Sequence, residues 1–262
     1  MILRGINQNI KKSFFFAKRD FKERYVGTSI GQFWYVVYPI VMIFIYTVIF
    51  SDIIKMKLNI IESSYAYSIY LVPGILAWTS FATIVGRVTN SFFDKAQMIK
   101  KVNVPMYSFQ ISILIVEFFI FVLSMVLALG FLVIISHPIN FNFLWLIPIM
   151  ILQTLFAFGV GVIFSLFAPF FKDLKEIVPI VIQLWFWMTP IVYLKDMIYS
   201  KFPIIIDLNP VYFFIESYQK IFLFAQPASY ELFYKIVPLT LITLLVAGYL
   251  YKKMVSTIKD II

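Results

Sequence analysis

Residue types that do covalent or metal chemistry are nearly missing from this chain. It has no cysteine and one histidine, His137, which excludes disulfides, thiol nucleophiles, iron–sulfur clusters, Cys-ligated zinc and paired-histidine metal sites. No GxxxxGKS or GxxxxGKT loop is present to cradle nucleotide phosphates, so any ATP hydrolysis belongs to a separate subunit. One carboxylate, Glu117, falls inside a long apolar run, after Ile111 to Val116. A carboxylate in a bilayer is expensive and marks either a polar contact between helices, with Asn90 or Gln153 as candidate partners, or a proton relay. A relay needs a partner His, Asp or Arg, and the sequence offers Glu117 none within its span, so the interhelical contact is expected.

The remaining expressive residues are aromatic. Trp34, Tyr35 and Tyr38 open one apolar run, while Trp185, Trp187 and Tyr193 belong to another, with Trp185, Thr189 and Tyr193 at steps of four on one helical face. Sugars present apolar C–H faces and many hydroxyls, so rings with polar tips can hold and release successive units without reading one sequence. Tyr and Trp also build the belts where a protein meets the bilayer surface, so the sugar reading rests on the set and not on any one ring.

These rings must be positioned by elements suited to lipid. Of the 262 residues, 62% are hydrophobic and 13% charged, against roughly 45–50% and 25% in soluble domains, which leaves too little polar surface for a water-soluble fold. The net charge of +9 is spread between apolar runs and not along one groove, which argues against nucleic acid as a partner. A helix crossing a ~30 Å hydrocarbon core needs about 20 apolar residues. Charge-free intervals place six such spans, at roughly Ile30 to Phe50, Tyr67 to Val85, Pro105 to Ser136, Phe143 to Phe167, Ile177 to Leu194 and Lys235 to Lys252. The N-terminus lacks the apolar core and cleavage site of a signal peptide.

Lys and Arg concentrate on one side of this arrangement: sixteen of the 22 fall in the N-terminal stretch, the second loop (Arg87, Lys95, Lys100, Lys101), the fourth loop (Lys172, Lys175) and the tail. The other side holds Lys55, Lys57, Lys195, Lys201, Lys220 and Lys235, so both termini are expected in the cytoplasm. From Leu3 to Tyr25, apolar Leu3, Ile6, Ile10, Phe14, Ala17, Phe21 and Tyr25 recur at steps of three and four among lysines and arginines. That pattern predicts an amphipathic helix on the membrane surface or docked on a partner. Between Leu194 and Lys235, apolar runs too short to span alternate with Pro203, Asn209-Pro210 and Pro227, which predicts a re-entrant helical hairpin near the outer face. The second loop, about Asn90 to Val104, is basic with apolar Phe92, Phe93, Met98 and Ile99, suiting a short cytoplasmic helix with an adhesive face.

Several blocks taken in order resemble the membrane permeases of ABC exporters for cell-surface polysaccharides, including O-antigen, capsule and teichoic-acid exporters. They are Lys18-Arg19-Asp20-Phe21-Lys22-Glu23-Arg24-Tyr25 with Thr28, Ile30-Gly31, Trp34 and Pro39; Tyr70-Leu71-Val72-Pro73-Gly74 with Trp78; Asn90 and Ile99-Lys100-Lys101-Val102-Asn103-Val104-Pro105; Lys172-Asp173-Leu174; Thr189-Pro190; and Leu208-Asn209-Pro210 with Ile215-Glu216. Lys172, Thr189 and Gln219 depart from the usual residues conservatively.

The resemblance implies an all-α membrane protein forming a single transmembrane domain over 1–262: an interface helix within 1–29, spans one to five over 30–194, an outer gate hairpin over 195–234, and the sixth span with a cytoplasmic tail over 235–262. It implies a homodimer in the cytoplasmic (inner) membrane on two copies of a nucleotide-binding ATPase subunit, which carries the ATP and Mg2+, with no cofactor on this chain. The substrate, a lipid-linked polysaccharide with O-antigen foremost, passes between the copies. Under this resemblance Arg19, Asp20, Lys22 and Arg24, with Asp94, Met98, Ile99, Lys100 and Lys101, couple to the ATPase; Trp34, Tyr35, Tyr38, Trp185, Trp187 and Tyr193 line the path; and Asn209 and Pro210 form an outer gate. The alternatives are an ABC exporter of drugs or lipids, a proton-coupled carrier resting on Glu117, and a non-transporting membrane scaffold.

Overall fold

A computed structural model describes residues 2–49, 65–102 and 104–261, with side chains from residue 11 onward, and among these residues every regular element is helical. Phe50, Lys55, Lys57 and Asn103, named above, lie outside the described residues, as do the side chains of Leu3, Ile6 and Ile10. The described residues hold, in order, α1 (Ile2–Glu23), α2 (Trp34–Thr47), α3 (Ala66–Asp94), α4 (Ala96–Lys101), α5 (Tyr107–Ile134), α6 (Leu146–Phe167), α7 (Leu174–Met188), α8 (Lys195–Tyr199), α9 (Pro203–Asp207), α10 (Pro210–Phe224) and α11 (Val237–Ile261). A 3-10 turn over Phe141–Trp145 leads into α6, and a π turn over Leu232–Ile236 leads into α11.

Among the described residues, four helices are long and apolar enough to cross a membrane: Ala66–Asp94, Tyr107–Ile134, Phe141–Phe167 and Leu232–Ile261. At ~1.5 Å per residue, the 28 residues of α5 reach about 42 Å, more than the ~30 Å hydrocarbon core. Its excess length carries one end past the lipid tails. Helix α5 stops where Ser136 turns at φ +55° and Pro138, which has no N–H to donate, cannot continue the ladder. Two further apolar helices are shorter. The first is Gly31–Thr47, which contains Pro39. The second is α7, with 15 residues or about 22 Å.

Helix α3 is the hub. Its residues Ala66 to Trp78 are all buried, and α2, α5, α6, α7 and α10 pack around it. Helix α6 lies between α3 and α11, and two glycines set those distances. A Cβ on Gly161 would stand 2.8 Å from Val88 Cβ, and one on Gly159 would stand 2.9 Å from Thr243 Cγ2. Neither space admits a methyl group unless a neighbour shifts.

Three expectations change. The second span does not end at Val85; α3 continues to Asp94, so Arg87 is inside a helix and not in a loop. Helix α7 ends at Met188, and Thr189 is extended (φ −104°, ψ 126°) because the residue before Pro190 is pushed out of the α region. Trp185, Thr189 and Tyr193 therefore do not share one helical face. Finally, α1 is docked on this chain's own α5, with Phe16 against Phe109 at 4.7 Å and Phe21 against Phe119 at 5.5 Å. Its buried stripe is Ser13, Phe16, Ala17 and Asp20, while Phe14 is 59% exposed. An ion pair described below rotates the helix away from its purely apolar stripe.

Candidate functional site

The end of the molecule formed by α1, the Asp94 end of α3 and the start of α5 holds a buried charge network. Arg87, on α3, donates from Nη1 to Glu117 Oε1 on α5 at 2.5 Å and from Nη2 to Asp20 Oδ2 on α1 at 2.7 Å. Lys95 Nζ sits 3.2 Å from Asp20 Oδ1, and Arg24 Nη2 sits 3.0 Å from Glu117 Oε1. Three cations face two carboxylates that are nearly out of solvent, so each carboxylate is paired on more than one side, as burial of a charge requires. Burial alone would push the Asp20 carboxyl up, but Arg87 and then Lys95 outweigh it and hold the pKa below the ordinary aspartate value. Glu117 thus has the basic partners that the sequence reading did not find, and they are Arg87 and Arg24 instead of Asn90 or Gln153. Gln153 Nε2 donates to Ala77 O at 2.7 Å.

Arg24 and Glu117 also line a cleft of about 230 Å³ between α2, α3 and α5. Trp34 and Tyr38 supply rings to its wall, and Thr79, Ser80, Thr83 and Ser124 supply hydroxyls. Ser80 Oγ is buried without a hydrogen-bond partner. The signal for this wall was present in the sequence as Thr79, Thr83 and Arg87 at steps of four on one face of α3. Placing Arg87 in a loop hides this face. A lining of rings, hydroxyls and charged groups can bind a sugar by C–H stacking and hydrogen bonds.

The six expected path residues are not brought together within one chain. Trp34 is half-buried and Tyr38 is 49% exposed, both lining the cleft. Tyr35 borders the cleft but is buried; its ring stacks on Phe21 at 4.3 Å and its hydroxyl donates to Phe21 O at 3.0 Å, tying α2 to α1. Helix α7 packs on α3. Trp185 there meets Phe81 edge-on at 5.4 Å, while Trp187 is 57% exposed and its carbonyl accepts the Tyr193 hydroxyl.

Asn209 joins α7 to α10. Its Oδ1 accepts from Trp185 Nε1 at 2.9 Å and from the backbone N–H groups of Val211 and Tyr212, while its Nδ2 donates to Thr189 Oγ1 at 2.8 Å. With Pro210 at the first helical position, this is the N-terminal cap that starts α10, and α10 is then buried along most of its length on α3 and α6. At its other end, Asn140 and Asn142 both donate to Ala225 O, at 2.9 and 2.7 Å.

Of the residues expected to meet an ATPase, Arg19 and Lys22 are exposed, with Arg19 paired to Glu23. Asp20 is buried in the network, and Arg24 reaches Glu117 from an exposed position. At the end of α3 Asp94 is exposed, and on α4 Lys100 and Lys101 are exposed, Met98 is half-buried and Ile99 is buried.

A family model described as ABC-2 type transporter matches residues 13–223, a stretch that runs from the buried stripe of α1 to the end of α10. The chain belongs to the ABC-2 type transporter family. Among curated relatives of this ABC-2 chain, two proteins of Klebsiella pneumoniae named O-antigen export system permease protein RfbA are each 32% identical over 208 residues, covering 79% of this chain and 78% of theirs. A protein of the same name from Myxococcus xanthus is 26% identical over the same shares. As an ABC-2 chain with several membrane-crossing helices, it is a multi-pass membrane protein.

Proposed function

We propose that this ABC-2 chain is the permease subunit of an exporter that moves a lipid-linked polysaccharide, O-antigen foremost, across the cytoplasmic membrane. The observation that carries this reading is the match of about four-fifths of the chain to permeases named for O-antigen export. The cleft of rings and hydroxyls beside Trp34 and Tyr38 supports it, because its lining suits a carbohydrate better than an apolar drug.

On this reading the chain forms one domain with six spans, α2 and α7 adding to the four long helices, and both termini are cytoplasmic. Two copies pair and stand on two ATPase subunits that bind ATP and Mg2+; no cofactor binds this chain. Helices α2 and α7 each carry an exposed apolar stripe, Tyr38, Val41 and Ile45 on one and Ile177, Ile180, Val181 and Leu184 on the other. These stripes suit lipid and a second copy, and pairing through them would place the two aromatic sets along one path. Helices α8 to α10 form the outer hairpin, and α10, buried along most of its length on α3 and α6, presents no lipid-facing stripe like that of α7.

Coupling then follows from the charge network. ATPase closure pushes on Arg19 and Lys22 of α1 and on α4. Asp20, Arg87, Glu117 and Arg24 pass that displacement to α3 and α5, two walls of the cleft, because a buried ion network resists being pulled apart. The proton-driven alternative would need the ion pairs of Glu117 with Arg87 and Arg24 to break in every cycle.

The test is reconstitution with the cognate ATPase in vesicles. ATP hydrolysis should rise with lipid-linked polysaccharide, and a deletion strain should accumulate that glycolipid in the cytoplasmic leaflet, as seen by mass spectrometry. Stimulation by drugs or simple lipids alone, or transport by the permease without the ATPase, would overturn the reading.

A further inference from the structure

A second cleft, of about 710 Å³, lies outside the site described above, between α4, the start of α5 and the last turns of α11. Its lining is amphiphilic in a definite order. Tyr107 and Tyr251 are joined at one part of it: the Tyr107 N–H donates to the Tyr251 hydroxyl at 3.0 Å and the rings meet edge-on at 6.1 Å. Met106 and Val255 give an apolar wall, and Lys100, Lys101 and Lys259 supply ammonium groups. The ion pairs among the described residues engage Arg19, Arg24, Arg87, Lys95, Lys220 and Lys235, and none engages these three lysines.

The position relative to a bilayer comes from helix length. Leu232–Ile261 has 30 residues, about 45 Å at ~1.5 Å per residue, so roughly ten residues must project beyond a ~30 Å core. Tyr251 stands ten positions before Ile261, at the level where Tyr residues mark the boundary between tails and headgroups. Lys259 lies about 12 Å farther along the helix axis at ~1.5 Å per residue, beyond that boundary.

We propose that this cleft binds the headgroup phosphate of an anionic phospholipid, with the glycerol backbone against Met106 and Val255 and the acyl chains continuing into the bilayer past the Tyr107–Tyr251 pair. The apolar wall, continuous with the hydrocarbon, favours a lipid over a free phosphate or an acidic segment of a partner protein, neither of which brings a chain to fill it. Unpaired lysines just beyond the boundary are where attraction to an anionic leaflet is strongest. The lipid would bridge α4 and α11, so that the coupling helix and the tail move together.

The test uses the complex of permease and ATPase in nanodiscs of phosphatidylcholine containing a photoactivatable phosphatidylglycerol, with crosslinked peptides mapped by mass spectrometry. Labelling should fall within residues 99–107 and 251–259 and should exceed that from a photoactivatable phosphatidylcholine. Lys259→Gln should lower it about fivefold, and the Lys101→Gln, Lys259→Gln pair about 25-fold if the two lysines act independently. Lys172→Gln should leave it unchanged. Equal labelling by the zwitterionic probe, full competition by inorganic phosphate, no loss in the double variant, or labelling seen only after the ATPase is removed would each overturn the proposal. The mapped peptides do not depend on the exported substrate, so this result stands apart from that of the vesicle export assay.

Discussion

Arg87 Nη2 and Asp20 Oδ2 are 2.7 Å apart, which binds the N-terminal helix to a helix 67 positions further along the chain. The other end of the same guanidinium holds Glu117. Arg87→Met would keep a long side chain but leave Asp20 with Lys95 and Glu117 with Arg24. Removing one partner of a buried ion network costs about 3–5 kcal/mol, and the remaining partners hold the expected loss near the low end. Thermal unfolding in detergent should show it, and protease should cut α1 faster.

Glu117→Gln is milder, because the amide oxygen can still accept from Arg87. A loss of about 1.5–3 kcal/mol is expected, the value of a hydrogen bond to a charged group. Export in reconstituted vesicles should persist with an unchanged response to an imposed pH gradient. A variant that folds and hydrolyses ATP yet responds to no such gradient, where the native protein does, would place Glu117 in a proton path.

The Asp20 carboxyl has a pKa below the ordinary ~3.9 because Arg87 and Lys95 outweigh its burial. A depressed folded-state value makes the stabilisation complete above the unfolded value and lost only as pH falls through the folded one. Hydrogen exchange of α1 amides should therefore be flat from about pH 5 to 8, once corrected for intrinsic rates, and rise only below about pH 4. Asp20→Asn should remove that acid step and weaken α1 at neutral pH as well.

Asn209→Ala takes the cap from α10 and leaves Trp185 Nε1 without its partner, while the Thr189 hydroxyl keeps its bond to Trp185 O. Loss of a cap costs about 1 kcal/mol, and each polar group left buried and unpaired adds about 1–3 kcal/mol. The expected outcome is a drop in unfolding temperature with a blue-shifted, less ordered Trp185 signal. Asn209→Asp should keep the cap and the Trp185 bond but require the Thr189 hydroxyl to leave Trp185 O and donate to the second carboxylate oxygen, and should fall between.

The aromatic set divides into two kinds of residue. Trp34→Leu with Tyr38→Leu alters a cleft wall that is already partly open, so folding should survive while polysaccharide export falls. Trp185→Leu removes a ring packed on Trp78 and Phe81 and a hydrogen bond to Asn209, so it should destabilise the fold by about 2–4 kcal/mol. Normal export by the Trp34, Tyr38 double variant would place the sugar path elsewhere.

Sequence periodicity and charge placement reached most of the architecture here. Runs without charge mark α3, α5, α6 and α11 because lipid tolerates only helices whose backbone groups are paired within the segment. Asn209-Pro210 marks the start of α10 because an Asn cap followed by a first-turn proline is a local signal. Local signals failed where a charge is satisfied from far away. Arg87 reads as a span end in one dimension, since nothing near it in sequence shows that Asp20 and Glu117 will meet it.

Tertiary packing alone decided which face α1 presents and which rings are free. Apolar spacing would bury Phe14, but the pairing of Asp20 with Arg87 turns the helix so that Ser13 and Asp20 face α5 and Phe14 faces out. Tyr35 and Tyr38 are three positions apart in one apolar run, yet one is sealed against Phe21 and the other opens on a cleft. Composition and periodicity determine that a segment is a helix in lipid, because those depend on the segment and its solvent. The partner of each side chain depends on which other helix lies beside it, and that is settled only when all of them pack around α3.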